Sequence, residues 1–515
     1  MIFNSYGFVL LFLPAALAVF HFANARKGAA GAVSSLLFFS LLFYALWDVR
    51  YLALLLASTT ANYLAGRHIQ IRLEAGQGRA AGAILALGVA ANLAVLAGFK
   101  YLAFATASLN AAFGIQLPLP EILLPLGISF FTFEQLAYLV DIHRGSPAER
   151  SLPRYTLFVV FFPRLVAGPV LRYSEIGPQM PQEKPFRASS GDLAVGLTLF
   201  SIGLAKKAFL ADSIAPYANN AFNEVALGGQ PDLLLAWGGV LAYSLQLYFD
   251  FSGYSDMAIG TARCFGLRFP ANFASPYQAT SIIEFWRRWH MTLSRFLRDY
   301  LYVPLGGNRR GTLRRHVNLM LTMILGGLWH GANWTFVAWG ALHGGYLIIN
   351  HVWLRLTSSH PRLRSALTSC PGQLGGWALT MVAVAVGWVF FRSPDLAAAE
   401  RMLAGMAGAN GMTLPAGLLD RLPILQSLGF TGSDASGSRF IATWLWCLLL
   451  GLIAVALPNS QQILADATPV LEDVRQRGSR LRWRMSRRWS FAMAALLLIG
   501  LMSISRGGEF LYWQF

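Results

Sequence analysis

Two histidines in this 515-residue chain stand where an ionisable ring could do chemistry. His330 ends an apolar stretch, inside Gly326-Gly327-Leu328-Trp329-His330-Gly331-Ala332-Asn333-Trp334. An ionisable group within an apolar segment is costly, so its presence calls for a purpose. Imidazole is well tuned to accept a proton near neutral pH. The flanking glycines would let another backbone, or a ligand, approach the ring. The competing account is a histidine that merely satisfies a backbone carbonyl inside a helical bundle. His290 lies in SIIEFWRRWHMTLSRFLRDYLYVPLGG, residues 281–307. There Trp286, Trp289, Leu293, Phe296, Leu297 and Tyr300 recur at helical spacing, opposite Arg287, Arg288, Arg295 and Arg298. An amphipathic helix lying on an anionic leaflet explains the Arg and Trp; it does not require His290. His343, in Leu342-His343-Gly344-Gly345, reads as helix packing, and His316, beside Arg314 and Arg315, as interfacial. Cys264, Cys370 and Cys447 are far apart and form no CxxC pair, and no HExxH occurs, so no metal or redox centre is expected.

The elements that must hold these residues are membrane helices. Hydrophobic residues make up 55% of the chain and charged residues 13%, against about 25% charged in soluble proteins. The apolar residues gather in blocks of about 15–22, long enough to cross a hydrocarbon core as helix. They do not alternate, which argues against a β-barrel. The blocks fall near 5–23, 31–47, 50–65, 80–99, 122–140, 155–171, 191–210, 233–251, 317–336, 338–354, 375–391, 439–457 and 490–505. Ala23-Asn24-Ala25 has the small-x-small form of a cleavage site, but no basic residue precedes the first block, so it reads as a membrane helix. Phe162-Pro163-Arg164-Leu165-Val166-Ala167-Gly168-Pro169 breaks the sixth block, and such backbone is tolerated at membrane depth only within protein or beside a cavity.

The net charge of +17 would suggest nucleic acid in a soluble protein. Here cytoplasmic loops account for it, and no nucleic-acid partner is expected. Residues 253–315 hold ten Arg against three acids, and 458–489 hold seven Arg, whereas 211–232 hold three acids and no base. If the sixth block re-enters without crossing, all basic loops share one side. The expectation is an all-α polytopic protein with about twelve crossings, re-entrant and interfacial helices, both termini outside, and no separate soluble domain. In that scheme 458–489 is a basic cytoplasmic loop and 506–515 a periplasmic tail.

The run Phe285 to Gly307, followed by Asn318 to Trp334, resembles the membrane-bound O-acyltransferase family. So do PLGISFFTFEQ at 125–135, FFPRLVAGPV at 161–170 and YFDFSGYSDM at 248–257. The likeness covers essentially the whole chain and points to the bacterial alginate O-acetyltransferase membrane-subunit branch. It implies a bundle around a buried tunnel that opens on the cytoplasmic face. It also implies transfer of an acyl group to a hydroxyl, with His330 as the principal histidine and His290 as the second signature position. Acetyl-coenzyme A is the implied donor substrate, with no bound cofactor. Arg287 and Arg288 would meet its phosphates, and Trp329 and Asn333 are assigned to the same donor side. The branch further implies export of acetyl to periplasmic SGNH or acetyl-esterase-like partners that modify a polysaccharide such as alginate. The tail Phe510-Leu511-Tyr512-Trp513-Gln514-Phe515 has the spacing of an acyl-relay motif, with the Tyr512 phenol as carrier; an aromatic interface anchor is the alternative. A glycan-lipid flippase or a scaffold of a secretion complex would share many of these features. Intramembrane charge gathered around His330, rather than spread along several helices, disfavours the flippase.

Overall fold

The computed structural model describes residues 2–165, 168–182, 184–433, 437–471, 481–504 and 511. Apart from two short strands, Thr413–Pro415 and Thr431–Ser433, paired in parallel, the regular structure described is helical. Helix is what the apolar blocks dictate, since it satisfies its own backbone polar groups where lipid cannot. Among the described residues five helical runs are long and apolar enough to cross a membrane. They are Gly7–Ala45, Gly78–Phe113, Ser190–Ala226, Cys370–Arg392 and Gly437–Ala456. The first holds the first two apolar blocks, and its backbone leaves helical geometry between them at Gly28, where φ is 57°.

The chain forms two compact units. The first takes in residues up to 204, 254–272 and 460–504. Phe8, Phe12, Phe43 and Phe162 pack there as an aromatic core; the rings of Phe12 and Phe162 meet edge-on at 5.3 Å. The sixth apolar block behaves as its prolines demand. The helix Leu152–Val160 stops ahead of Pro163, and Arg164 follows in non-helical backbone. Its buried guanidinium pairs with Glu134 and sits over the Phe158 ring at 4.6 Å. Glu134 Oε1 also accepts the Leu171 amide at 3.3 Å. The irregular backbone is therefore buried in protein with its charge compensated, the condition under which such backbone is tolerated.

The second unit comprises 205–253, 273–459 and, near the C-terminus, Leu511. Its core contains Tyr243, Phe251, Phe285, Trp289, Trp339, Trp388 and Phe391. Gly311–His330 and Trp334–Ser358 form a helical hairpin through this core, joined by residues 331–333. Two expectations need correcting here. The Arg-rich stretch is not one amphipathic helix. It is two short helices, Ile282–Arg288 and Met291–Leu297, separated at Trp289 and His290. A leaflet-lying helix would leave one face to lipid; here Phe285, Trp289, His290, Leu293, Phe296 and Leu297 are all buried against protein, and the chain turns at His290 through a left-handed backbone. Nor, among the described residues, is buried charge confined to the surroundings of His330. Lys207, Asp212 and Asp250 form a buried cluster in this unit, and Glu134 and Arg164 pair in the other.

Candidate active site

His330 is the last residue of Gly311–His330 and is 5% exposed. The helix must stop there. A Cβ on Gly331 would lie 2.0 Å from the Phe336 ring, so only glycine lets the chain turn back at this spot. Asn333 then opens the next helix, its Oδ1 accepting the Thr335 amide at 3.0 Å. Between the two helices, a Cβ on Gly327 would meet the Phe336 carbonyl oxygen at 2.2 Å and Gly340 at 3.2 Å. The glycines around His330 thus serve helix-to-helix approach, which the sequence offered as one of two uses. They seat the imidazole inside an aromatic wall: Trp329 at 4.9 Å, Phe391 at 5.1 Å and Trp339 at 5.3 Å, centroid to centroid.

His290 faces the same enclosure. Its backbone is left-handed, φ 42° and ψ 53°, a conformation that costs a non-glycine residue roughly 1–2 kcal/mol. Such cost persists where the surroundings hold it, commonly at functional sites. The ring is fully buried, edge-on to Phe251 at 4.8 Å, and 6.4 Å from both Trp329 and His330. His290 lies in the turn between two short helices, outside the spans, and burial pushes its pKa down to about 3. The ring is therefore neutral at physiological pH. Two neighbouring imidazoles, both walled by aromatic rings, can serve one reacting group and move its proton in a setting that keeps water out.

The other sequence candidates divide. Trp329 joins the two histidines. Asn333 has both ends of its amide engaged in structure, since Nδ2 donates to the Pro394 carbonyl at 2.8 Å. Arg288 pairs with Glu284 at 2.6 Å, both side chains about one-third exposed. Burial alone would raise the Glu284 pKa, but the Thr280 amide and the Arg288 guanidinium outweigh it and hold the carboxyl below its usual range. Arg287 is exposed on the same helix. Tyr512 lies outside the described residues, though its neighbour Leu511 is described and buried.

His343, which the sequence assigned to packing, is fully buried with Trp339 between it and His330. Its ring lies 4.9 Å from Trp339, and its Nδ1 accepts the Trp286 indole N–H at 3.3 Å. The Lys207–Asp212–Asp250 cluster went unread, although one lysine and two acids inside or beside apolar blocks were the available signal.

Comparison with known proteins bears on this geometry. The model of the membrane-bound O-acyltransferase family matches residues 119–386, a stretch that holds His290, His330 and His343. The chain is 42% identical over 472 residues to a protein of Azotobacter vinelandii named probable alginate O-acetylase, covering 90% of this chain and 86% of that one. It is 45% identical over 412 residues to the protein of the same name from Pseudomonas aeruginosa, 79% of this chain and 75% of the relative. It is 36% identical over 490 residues to a peptidoglycan O-acetyltransferase of Helicobacter pylori, 90% of each.

Proposed function

Since the chain belongs to the membrane-bound O-acyltransferase family, and is a multi-pass membrane O-acyltransferase, we propose that it takes acetyl from cytoplasmic acetyl-coenzyme A and passes it across the bacterial inner membrane. Periplasmic acetyltransferase partners of the SGNH type then place it on an exopolysaccharide. The observation that carries this reading is the pair of buried histidines 6.4 Å apart within one aromatic enclosure. His330 removes the proton from an attacking hydroxyl as its oxygen adds to the thioester carbonyl. The C–S bond then breaks, and the departing thiolate takes up a proton to leave as the free thiol. Proton transfer of this kind contributes typically 10²–10⁴-fold. Neutral His290 orients the thioester, and Arg287 and Arg288 pair their guanidinium groups with the donor's phosphates. The attacking hydroxyl is the Tyr512 phenol. Its acetyl ester has a better leaving group than an alkyl ester, so transfer to a partner serine runs downhill.

The loop charges support about twelve crossings, with both termini outside. The relatives named for alginate and for peptidoglycan support an acceptor among cell-envelope or extracellular glycans. Deleting the gene should strip acetyl esters from that glycan. The wild-type chain should restore them and Tyr512→Phe should not, while mass spectrometry finds an acetylated Tyr512 when the partner is absent. Full restoration by Tyr512→Phe would remove the relay and leave direct hand-over from the His330 site.

A further inference from the structure

Lys207 Nζ lies 2.6 Å from Asp212 Oδ1 and 2.7 Å from Asp250 Oδ1, and the Lys207 and Asp250 side chains are each 1% exposed. Charge buried this deeply is costly even when paired, and within a membrane protein it marks a place that is used. One ammonium here faces two carboxylates, which leaves acceptor capacity over. Part of it is taken up from far along the chain: Asp250 Oδ2 accepts the backbone amide of Leu511 at 3.3 Å. Leu511 is itself 3% exposed and belongs to the apolar core that contains Phe251, Trp289, Trp339 and Phe391. Asp250 is therefore held on one oxygen by an ammonium and holds, on the other, a residue 261 positions away. The next residue in its helix, Phe251, stands edge-on to His290.

A surface anchor needs none of this. Aromatic tails that only mark the membrane interface keep their backbone amides in water or headgroups, whereas this amide is desolvated and bonded to a buried carboxylate. A charged acceptor makes that bond stronger than a neutral one would.

We propose that Asp250, fixed by Lys207, which Asp212 holds in turn, is a latch that seats Leu511 in the core of the second unit, on the helix turn that packs against His290. Asp250 is then a positioning residue: it holds Leu511, the residue before Tyr512, and takes no part in bond making. Its role in the reaction rests on the relay reading given above; the docking itself does not.

Labelling of a cysteine at 511 tests the docking. In the full-length chain, with Cys264, Cys370 and Cys447 replaced, Leu511→Cys is exposed to a hydrophilic maleimide in detergent micelles. It should react far more slowly than Cys370 does in a matched chain that keeps this exposed cysteine and lacks Cys264 and Cys447. Adding Asp250→Asn should raise its rate roughly tenfold or more, the scale expected for losing a charge-assisted hydrogen bond. Labelling as fast as Cys370, or a rate that Asp250→Asn leaves unmoved, overturns the latch.

Leu511→Pro tests the positioning without touching the charged cluster: it deletes the donated N–H along with the buried leucine side chain, and Leu511→Ala, which loses the side chain and keeps the N–H, is its control. Leu511→Pro should cut glycan acetylation while yield and melting temperature hold, and Leu511→Ala and Leu511→Met should keep acetylation. Undiminished acetylation in Leu511→Pro overturns the positioning role. If Tyr512→Phe proves fully active, the relay fails, yet slow labelling of Leu511→Cys that Asp250→Asn accelerates would still establish the dock.

Discussion

Replacing His330 by Gln separates chemistry from packing, because the structure lets the two costs be worked out separately. The ring is 5% exposed and walled by Trp329, Trp339 and Phe391. Truncation to Ala would open a cavity there, and aromatic-to-Ala changes in cores cost about 3–5 kcal/mol. A dead His330→Ala enzyme would therefore be ambiguous. Gln keeps most of the volume and a polar end, and near-isosteric core changes cost under about 1.5 kcal/mol. It cannot take a proton. If His330 is the general base, turnover should fall by about 10²–10⁴, which is roughly 2.7–5.4 kcal/mol on the barrier. Purified enzyme supplied with acetyl-coenzyme A reports this as the rate of the single thiol release that loads Tyr512, and a melting curve on the same sample reports stability. His343→Gln is the matched control. It stands on the other side of Trp339 and loses one hydrogen bond from Trp286, worth about 1 kcal/mol, so it should turn over normally. The reasoning fails if His330→Gln stays within about tenfold of wild type. It also fails if His343→Gln loses as much, since the enclosure as a whole and not the His330 nitrogen would then be what matters.

Three further outcomes follow from the geometry. His290 is held neutral, with a folded pKa of about 3 against about 6.5 when unfolded. Between those values the unfolded chain binds the extra proton, so this contribution to stability is complete above pH 6.5 and is lost as pH falls toward 3. His290→Asn, which tolerates the left-handed backbone, should flatten the acid side of the melting-temperature profile, and an unchanged slope would contradict the assignment. Gly327→Ala drives a Cβ to 2.2 Å from the Phe336 carbonyl oxygen and should destabilise the protein by about 1–3 kcal/mol, as overpacking does; a neutral effect on thermal unfolding would mean that the hairpin does not need the close approach. Arg287→Lys should raise the acetyl-coenzyme A concentration for half-maximal thiol release while leaving the protein in the membrane. No change would assign the exposed Arg287 to lipid headgroups.

Much of this was legible in the sequence because membrane helices have a coarse grammar. Block length set the helices, Pro163 stopped one where it should, and the aromatic and glycine residues around His330 announced a crowded ring. What the sequence hid is what periodicity cannot express. Trp286 to Tyr300 recur at helical spacing, and nothing in that spacing says that the chain breaks at His290, a residue that is neither glycine nor proline. The break is a tertiary effect: Trp289 and His290 pack into the aromatic core of the second unit, with Phe273, Phe285, Trp388 and Phe251 around them.

The same limit applies to charge. A lysine at 207 reads as the end of an apolar block, and an aspartate at 250 as part of a motif. That they share a proton-rich contact, and that the freed carboxylate oxygen reaches Leu511, depends on three segments whose sequence separation exceeds anything a local pattern can encode. The two hidden features converge on a single helix turn, where Asp250 accepts the Leu511 amide and Phe251 packs on His290. A residue whose ring must be held in a costly backbone conformation, and a tail whose amide must be desolvated to stay, are each unfavourable alone. Their partners Asp250 and Phe251 are consecutive residues, so the latch proposed above would couple the seating of Leu511 to the seating of His290. A loss of tail docking should then be felt at the histidine enclosure, through Phe251, before any substrate arrives.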